Sequence, residues 1–197
     1  NTTYPSLSGT SVFWDFVELP SQMMENWCYE PEALALFAKH YETGEIIPQD
    51  YVEKIKESAS FLEGMATLRQ LSFGLLDMAF HSNNPTDITD IKAFEKAAFE
   101  GTSLYPDVAE NCMSVSFSHI FQGGYSSGYY SYKWAEVLDA DAFAYFQEKG
   151  IFNTEVATKF KDNILSKGGT EHPMTLYKRF RGQEPKPEAL LKRAGLI

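Results

Sequence analysis

Histidine and cysteine are scarce in this sequence. Its 197 residues include four histidines and two cysteines. No two histidines are close enough to form the zinc-binding pattern H-E-x-x-H; they are His40, His81, His119 and His172. Cys28 and Cys112 are far apart and form no C-x-x-C pattern. We therefore predict reduced thiols, with neither a disulfide framework nor a structural zinc site.

Long apolar runs and a positive net charge are also missing. No run approaches the roughly 18 apolar residues that a membrane helix needs, and residues 1–5 have neither the basic region nor the apolar stretch of a signal peptide. The 27 acidic residues outnumber the 17 basic ones and give a net charge of -10. Such a charge argues against nucleic acid or an anionic membrane as a partner. We predict a cytoplasmic protein that binds neither.

What is present is enough for a folded core. Hydrophobic residues make up 44% of the chain, and apolar positions recur at helical spacing between glycine and proline breaks, which predicts a mainly α, multi-helix bundle. From Leu104 to Gln122 the pattern alternates instead, which predicts short extended segments and thus a small β element. The predicted helices are one that carries Asp15 and Glu18, followed by 31–44, 50–81, 87–99, 126–148, 154–166, 173–181 and 186–194.

An acidic stripe near the start of the chain asks for a chemical explanation. Asp15, Glu18, Gln22 and Glu25 are spaced to share one face of a helix, and apolar residues crowd both sides of that face. Pro20 lies inside the pattern and is expected to kink the helix. Two interpretations remain open on spacing alone: half of a metal site, or an amphipathic helix with ordinary surface acids.

A second stretch combines glycine with tyrosine. Gly123 and Gly124 precede three tyrosines that step by four and three along one predicted helix face, namely Tyr125, Tyr129 and Tyr132. We expect hydroxyl chemistry from this group, and packing from the neighbouring face of Tyr130, Trp134 and Val137. The alternative is that the tyrosine stripe belongs to a core or an interface, because tyrosine covers apolar surface well while keeping a polar tip.

The first stretch also resembles a known family. The pattern Gly9-Thr10-Ser11-(x3)-Asp15-Phe16-Val17-Glu18-Leu19-Pro20-Ser21-Gln22 is similar to the segment that follows the H-E-x-x-H helix in the thimet oligopeptidase, oligopeptidase A and peptidyl-dipeptidase family of zinc metallopeptidases. The resemblance to the same family is supported again at 119–132 and at 178–185. The resemblance implies that Glu18 is the third zinc ligand. Asp15 would orient a zinc ligand, although a plain surface role is an equal alternative.

The resemblance also implies roles for the glycine- and tyrosine-rich stretch. His119 and Tyr132 would contact the reacting carbonyl and stabilise the negative charge that builds on its oxygen. Tyr125 and Tyr129 would hold the backbone of a short peptide substrate. Gly123 and Gly124 would let the loop close over that substrate.

The departure from the family pattern is the missing H-E-x-x-H. We therefore expect residues 1–197 to be a single C-terminal fragment of the catalytic region, inactive and without tightly held zinc unless joined to the upstream part of the same peptidase. Exposed apolar residues such as Phe13 and Trp14 would then promote self-association or uptake of a partner. The competing hypothesis is a non-catalytic helical module that binds peptides or a partner chain.

Overall fold

The computed structural model describes residues 2–197, and the part described is helical. Its one β feature is an isolated antiparallel bridge between Lys39 and Ile46, so the predicted mainly α class is confirmed. The helices are α1 (Leu19–Glu25), α2 (Pro31–Phe37), α3 (Gln49–Ala59), α4 (Glu63–Ser82), α5 (Ile91–Ala98), α6 (Ser118–Phe121), α7 (Ser131–Lys149), α8 (Thr154–Phe160), α9 (Pro173–Arg181) and α10 (Glu188–Arg193), with a π-helical turn at Lys161–Leu165.

Several of the predicted helices begin, end or break elsewhere; the one predicted over 31–44 ends at Phe37, and the one predicted over 126–148 begins at Ser131. Pro20 lies in the first turn of α1 and does not kink an existing helix, which is a favoured place for proline because its missing amide has no partner there anyway. Asp15 lies before α1 in a separate 3-10 turn, Trp14–Phe16. The long helix predicted over 50–81 is interrupted between α3 and α4, where Leu62 adopts a left-handed conformation with φ 58°.

The extended segments predicted between Leu104 and Gln122 are wrong. This region holds a 3-10 turn, Met113–Val115, and the short helix α6. The hydrogen bonds of this region explain the difference. The buried carboxylate of Glu95 accepts the backbone N–H groups of Met113 and Ser114 at 2.9 and 2.7 Å. Those amides are therefore not available to a strand ladder. The apolar residues are also not buried as a set, since Phe117 is buried whereas Val115 is exposed.

The chain divides into two compact units, one made of residues 1–61 and 134–197 and the other of residues 62–133. The first unit has an aromatic core in which Trp27 meets Phe143 and Phe146 edge-on at 4.7 and 5.0 Å. Helices α1, α7, α8 and α9 supply most of that core. Its buried members are Phe16, Leu19, Met23, Leu138, Ala142, Phe143, Phe146, Val156, Phe160, Ile164, Leu176, Tyr177 and Phe180.

Two buried aspartates of α7 form ion pairs with arginines near the C-terminus of the chain. Asp141 is buried, accepts the Tyr177 hydroxyl at 2.7 Å and lies 3.3 Å from the Arg181 guanidinium. Burial first, and then this hydrogen bond, raise the pKa of the Tyr177 phenol well above its usual range. Buried Asp139 is paired in the same way with Arg193. Tyr177 and Arg181 thus join α9 to α7 through Asp141.

The second unit has its own core of five buried side chains, which α4, α6 and the loop between α6 and α7 supply. They are Phe73, Leu76, Phe117, Ile120 and Tyr129. Phe117 and Tyr129 meet edge-on with ring centroids 5.1 Å apart. Across residues 2–197, none of the helices combines the length and the apolar character needed to cross a bilayer.

Candidate active site

Glu18 immediately precedes α1, and in the sequence it lies between two buried residues, Phe16 and Leu19. The Ser21 hydroxyl donates to Glu18 Oε2 at 2.8 Å and lies 3.1 Å from the carbonyl oxygen of Glu18. The same carbonyl accepts the Gln22 amide at 3.0 Å and so begins the helix. This partly buried carboxylate is therefore held beside a helix start by its own segment.

The four polar residues of the predicted stripe do not share a helix face. Only Gln22 and Glu25 belong to α1, and Glu25 is its exposed last residue, as a surface acid would be. Asp15 instead borders a cavity of about 160 Å³ in the first unit. The cavity is mostly aromatic, and its lining residues are Phe13, Asp15, Phe16, Trp134, Leu138, His172, Pro173, Met174 and Tyr177.

Zinc would find one matching donor at Glu18, since carboxylate oxygen is an accepted zinc ligand. A catalytic zinc site uses about three protein ligands. Within residues 2–197, no group of three or more His, Cys, Asp or Glu side chains has the geometry to hold a metal ion. The carboxylate of Glu18 thus fits the role of one zinc ligand.

The second predicted cluster does come together. The His119 ring lies 5.8 Å from that of Tyr125, 6.1 Å from that of Tyr129 and 6.2 Å from that of Tyr132, measured between centroids. Tyr125 and Tyr132 stack on each other at 5.0 Å. His119 is exposed, whereas Tyr125 and Tyr132 are half-buried. One exposed imidazole and two half-buried phenols are therefore grouped in one unit.

The two glycines are required by the backbone of this loop. A Cβ atom on Gly123 would lie 2.9 Å from His119 Cα and 3.0 Å from the His119 carbonyl oxygen. Gly124 has a φ of 84°, a backbone conformation that residues with a side chain rarely adopt. The Tyr125 amide then donates to the His119 carbonyl at 3.1 Å, so the chain folds back and brings Tyr125 beside His119.

The tyrosines are not arranged as one helix face. Helix α7 begins only at Ser131, and residues 125–130 form consecutive turns. Ser127 within them has a left-handed φ of 56°. The cluster is thus formed by a loop that folds onto itself, and Tyr132 alone of the three tyrosines is carried by α7.

The predicted division between hydroxyl and packing faces is wrong in part. Tyr130 is 51% exposed and Trp134 is 38% exposed, so neither is a core residue, whereas Tyr129 is 9% exposed and belongs to the core. The Tyr129 hydroxyl donates to Gln70 Oε1 at 3.1 Å. Burial raises the pKa of this phenol, Tyr132 raises it further, and Arg69 and the Gln70 hydrogen bond act in the opposite direction.

Sequence reasoning missed two residues that shape this site, Gln70 and Asp77, both on α4. Asp77 is 1% exposed, and its two carboxylate oxygens accept the amides of Ser127 and Tyr129 at 2.9 Å each. No spacing links Asp77 to a loop fifty residues later. The available signal was an acid among apolar residues in a predicted core helix, which needs compensation when buried.

Comparison with known proteins matches residues 1–196 to the model of peptidase family M3. Oligopeptidase A from Escherichia coli K12 is 49% identical over 193 residues, covering 96% of this chain and 28% of that protein. The chloroplastic and mitochondrial organellar oligopeptidase A of Arabidopsis thaliana is 43% identical, with coverages of 95% and 24%. The dipeptidyl carboxypeptidase of E. coli K12 is 36% identical, with coverages of 98% and 29%. The chain thus spans under a third of the length of these relatives.

Proposed function

This chain belongs to peptidase family M3, and we propose that it forms part of the catalytic region of a zinc-dependent metallopeptidase that hydrolyses short peptides. The grouping of His119, Tyr125 and Tyr132 carries the proposal, because the three rings lie within 5.0 to 6.2 Å of one another on a loop whose glycines cannot be replaced without moving the backbone.

In this proposal the side chains of the loop divide the work. The Tyr132 hydroxyl and the His119 imidazole donate hydrogen bonds to the carbonyl oxygen of the scissile bond as negative charge develops on it, a form of stabilisation that is largest in the transition state. Tyr125 and Tyr129 hold the peptide, and Gly123 and Gly124 let the loop close over it. Since the Tyr129 phenol is buried against Gln70, its contact with a peptide would be made through the ring edge or after the loop moves.

Glu18 is the zinc ligand that this chain contributes in the proposal, and Asp15 orients a ligand. Bound zinc would polarise the scissile carbonyl and lower the pKa of the attacking water. The remaining ligands would come from an upstream part of the same peptidase, which is the proposed partner. The hydrogen bond from Ser21 to Glu18 supports this role, because it fixes the rotamer of the ligand before metal arrives.

The proposal is tested by joining this chain to an upstream segment that carries H-E-x-x-H. The joined protein should cleave an internally quenched short peptide, lose activity with a chelator and regain it with zinc. This chain alone should neither cleave the peptide nor retain about one zinc per molecule, for lack of the usual three ligands. Stoichiometric zinc in the isolated chain that disappears in Glu18→Ala, or no cleavage by the joined protein, would contradict the proposal.

A non-catalytic binding module is the second candidate, and a specific surface supports it. Phe13 is 62% exposed and Trp14 is 39% exposed, and exposed aromatic side chains that are neighbours favour association with a partner or a second copy. Sedimentation of the isolated chain tests this, since self-association that Phe13→Ser weakens is expected. A monomer at high concentration that binds no apolar dye would contradict the self-association prediction and leave this candidate without the surface that supports it.

A cytoplasmic location belongs to the same proposal. Both cysteines are free, Cys28 exposed and Cys112 half-buried, as a reducing compartment permits. Fractionation of cells that express the full-length protein would test the location.

A further inference from the structure

A buried carboxylate underlies the tyrosine loop. Asp77 Oδ1 accepts the amide of Ser127, and Oδ2 accepts the amide of Tyr129, both at 2.9 Å. Charged acceptors make hydrogen bonds about twice as strong as neutral ones. The two amides belong to the two turns that lie between Tyr125 and Tyr132, so this one side chain fixes the path of the backbone through the cluster.

His81 supplies a hydrogen-bond partner for that carboxylate. Its Nδ1 atom lies 2.8 Å from Asp77 Oδ1 and 2.9 Å from the Asp77 backbone carbonyl, one helical turn away on α4. Both neighbours are acceptors, so Nδ1 must carry a proton. The imidazole is 23% exposed and the carboxylate is 1% exposed. The more exposed imidazole therefore donates a hydrogen bond to a buried carboxylate.

The loop needs this support because its conformation is strained. Ser127 has a φ of 56°. This conformation lowers stability in residues other than glycine and persists only where the surrounding structure holds it. Its amide is one of the two that Asp77 holds. Without that acceptor, the ordinary right-handed or extended conformations of Ser127 would become available, and Tyr125 and Tyr132 would no longer be held in their stacked arrangement.

We propose that Asp77, with His81, is a positioning residue: it holds the loop of 125–132 in the shape that presents Tyr125 and Tyr132 to a peptide. That the presented surface takes a peptide rests on the proposed function. The clamp itself rests only on the contacts of Asp77 with the loop.

The chain offers a matched control in the same unit. Glu95 on α5 is 7% exposed and also accepts two consecutive backbone amides, those of Met113 and Ser114. Burial alone would raise its pKa, but hydrogen bonds from the Ser114 hydroxyl, the two amides and the Cys112 thiol lower the pKa below its ordinary value. Glu95 is therefore a buried carboxylate clamp of the same type on a segment without tyrosines.

The experiment compares Asp77→Asn with Glu95→Gln in this chain by amide hydrogen exchange. An amide side chain has one acceptor oxygen in place of two, so one of the paired backbone amides must lose its partner. In Asp77→Asn, exchange at Ser127 or Tyr129 should speed up about tenfold, the equivalent of one hydrogen bond, while Met113 and Ser114 stay as they were. Glu95→Gln should give the reverse pattern. Ring resonances of Tyr125 and Tyr132 should shift only in Asp77→Asn.

Equal loss of protection throughout the unit in both variants, or unchanged Tyr125 and Tyr132 resonances in Asp77→Asn, would overturn the proposal. If Asp77→Asn does not fold, the unchanged protein provides the test. Its Ser127 and Tyr129 amides should exchange as slowly as those of Met113 and Ser114, and fast exchange at both would overturn the proposal. A titration with penta-alanine separates the two hypotheses. If the peptide does not perturb Tyr125 or Tyr132 in the unchanged protein, the proposed function is weakened, whereas the clamp is judged by exchange alone.

Discussion

The segment around Glu18 and the loop around Tyr129 hold their chemical groups in place by different means. Glu18 is fixed locally, by a serine three residues later and by the start of its own helix. The tyrosine loop is fixed from a distance, by Asp77 and Gln70 on a helix more than fifty residues earlier in the chain. A local arrangement is written in a short motif, whereas a distant one depends on the fold of the whole unit.

This difference predicts how each region responds to substitution. In the proposed function the Glu18 side chain itself binds zinc, and it is held within its own segment, so a change there should remove chemistry and leave stability nearly intact. In the tyrosine loop the same atoms serve the core and the proposed site. Changes there should couple stability to activity unless they touch only an accessible hydroxyl.

The largest effect is expected for Glu18→Ala in the protein joined to an H-E-x-x-H segment. Losing one of about three zinc ligands should reduce bound zinc to a trace and abolish peptide cleavage. Elemental analysis and a cleavage assay measure the two effects, and Glu25→Ala on the exposed end of α1 is the control. A melting temperature equal to that of the parent, measured without metal, would show that only chemistry was lost. Full zinc occupancy in the variant would remove Glu18 from the site.

Tyr132→Phe in the same joined protein should lower kcat by roughly 100-fold to 1,000-fold, the usual effect of deleting one oxyanion donor. KM and zinc content should change little, because the lost hydrogen bond is made mainly in the transition state. Tyr130→Phe is the matched control, since it also removes a phenol hydroxyl but lies outside the ring cluster and is 51% exposed. A decrease of similar size in both variants, or in neither, would show that Tyr132 has no special role.

Gly123→Ala tests the backbone of the loop. The new Cβ would meet the His119 backbone at 2.9 Å, and because backbone cannot move aside cheaply, we expect a loss of about 1–3 kcal/mol in the free energy of unfolding. Gly74→Ala is the control, with nothing within 4 Å of the added atom in helix α4, and it should stabilise by about 0.5–1 kcal/mol. Urea unfolding of both variants measures the difference. If Gly123→Ala is as stable as the parent, the close approach of the loop to His119 is not maintained in solution.

Helix type was predictable from the sequence wherever the apolar spacing agreed with clear end signals. Helix α9 begins at Pro173 and ends before Gly182, as predicted, because proline suits a first turn and glycine the left-handed residue that follows a helix. The break between α3 and α4 was not predictable, since the apolar spacing continues through Leu62 while its φ is positive. Nothing in the local apolar pattern marks Leu62, which is 51% exposed, as the residue where the helix breaks.

The candidate site shows the same limit. Spacing grouped Tyr125, Tyr129 and Tyr132 correctly as neighbours, but for the wrong reason, since turns and not one helix bring them together. It could not tell that Tyr129 enters the core, because that depends on Phe73 and Phe117 from distant segments. The family resemblance pointed to Glu18 and His119, and their catalytic roles remain predictions.

The smallest effect is expected for Tyr129→Phe, which tests whether the Tyr129 hydroxyl serves the core or contacts the substrate. As a core residue it should lose its hydrogen bond to Gln70 at a cost of about 1 kcal/mol in the free energy of unfolding. Burial, and then Tyr132, raise its folded-state pKa above the usual value of about 10, so the folded state holds the phenol proton more tightly than the unfolded chain does. That contribution is fully present below pH about 10 and is lost as the pH rises through the folded-state pKa. Urea unfolding at neutral and alkaline pH should therefore show a flatter alkaline decline in Tyr129→Phe than in the parent, with penta-alanine binding unchanged. A variant with the stability and alkaline profile of the parent but weaker peptide binding would instead place the Tyr129 hydroxyl against the substrate.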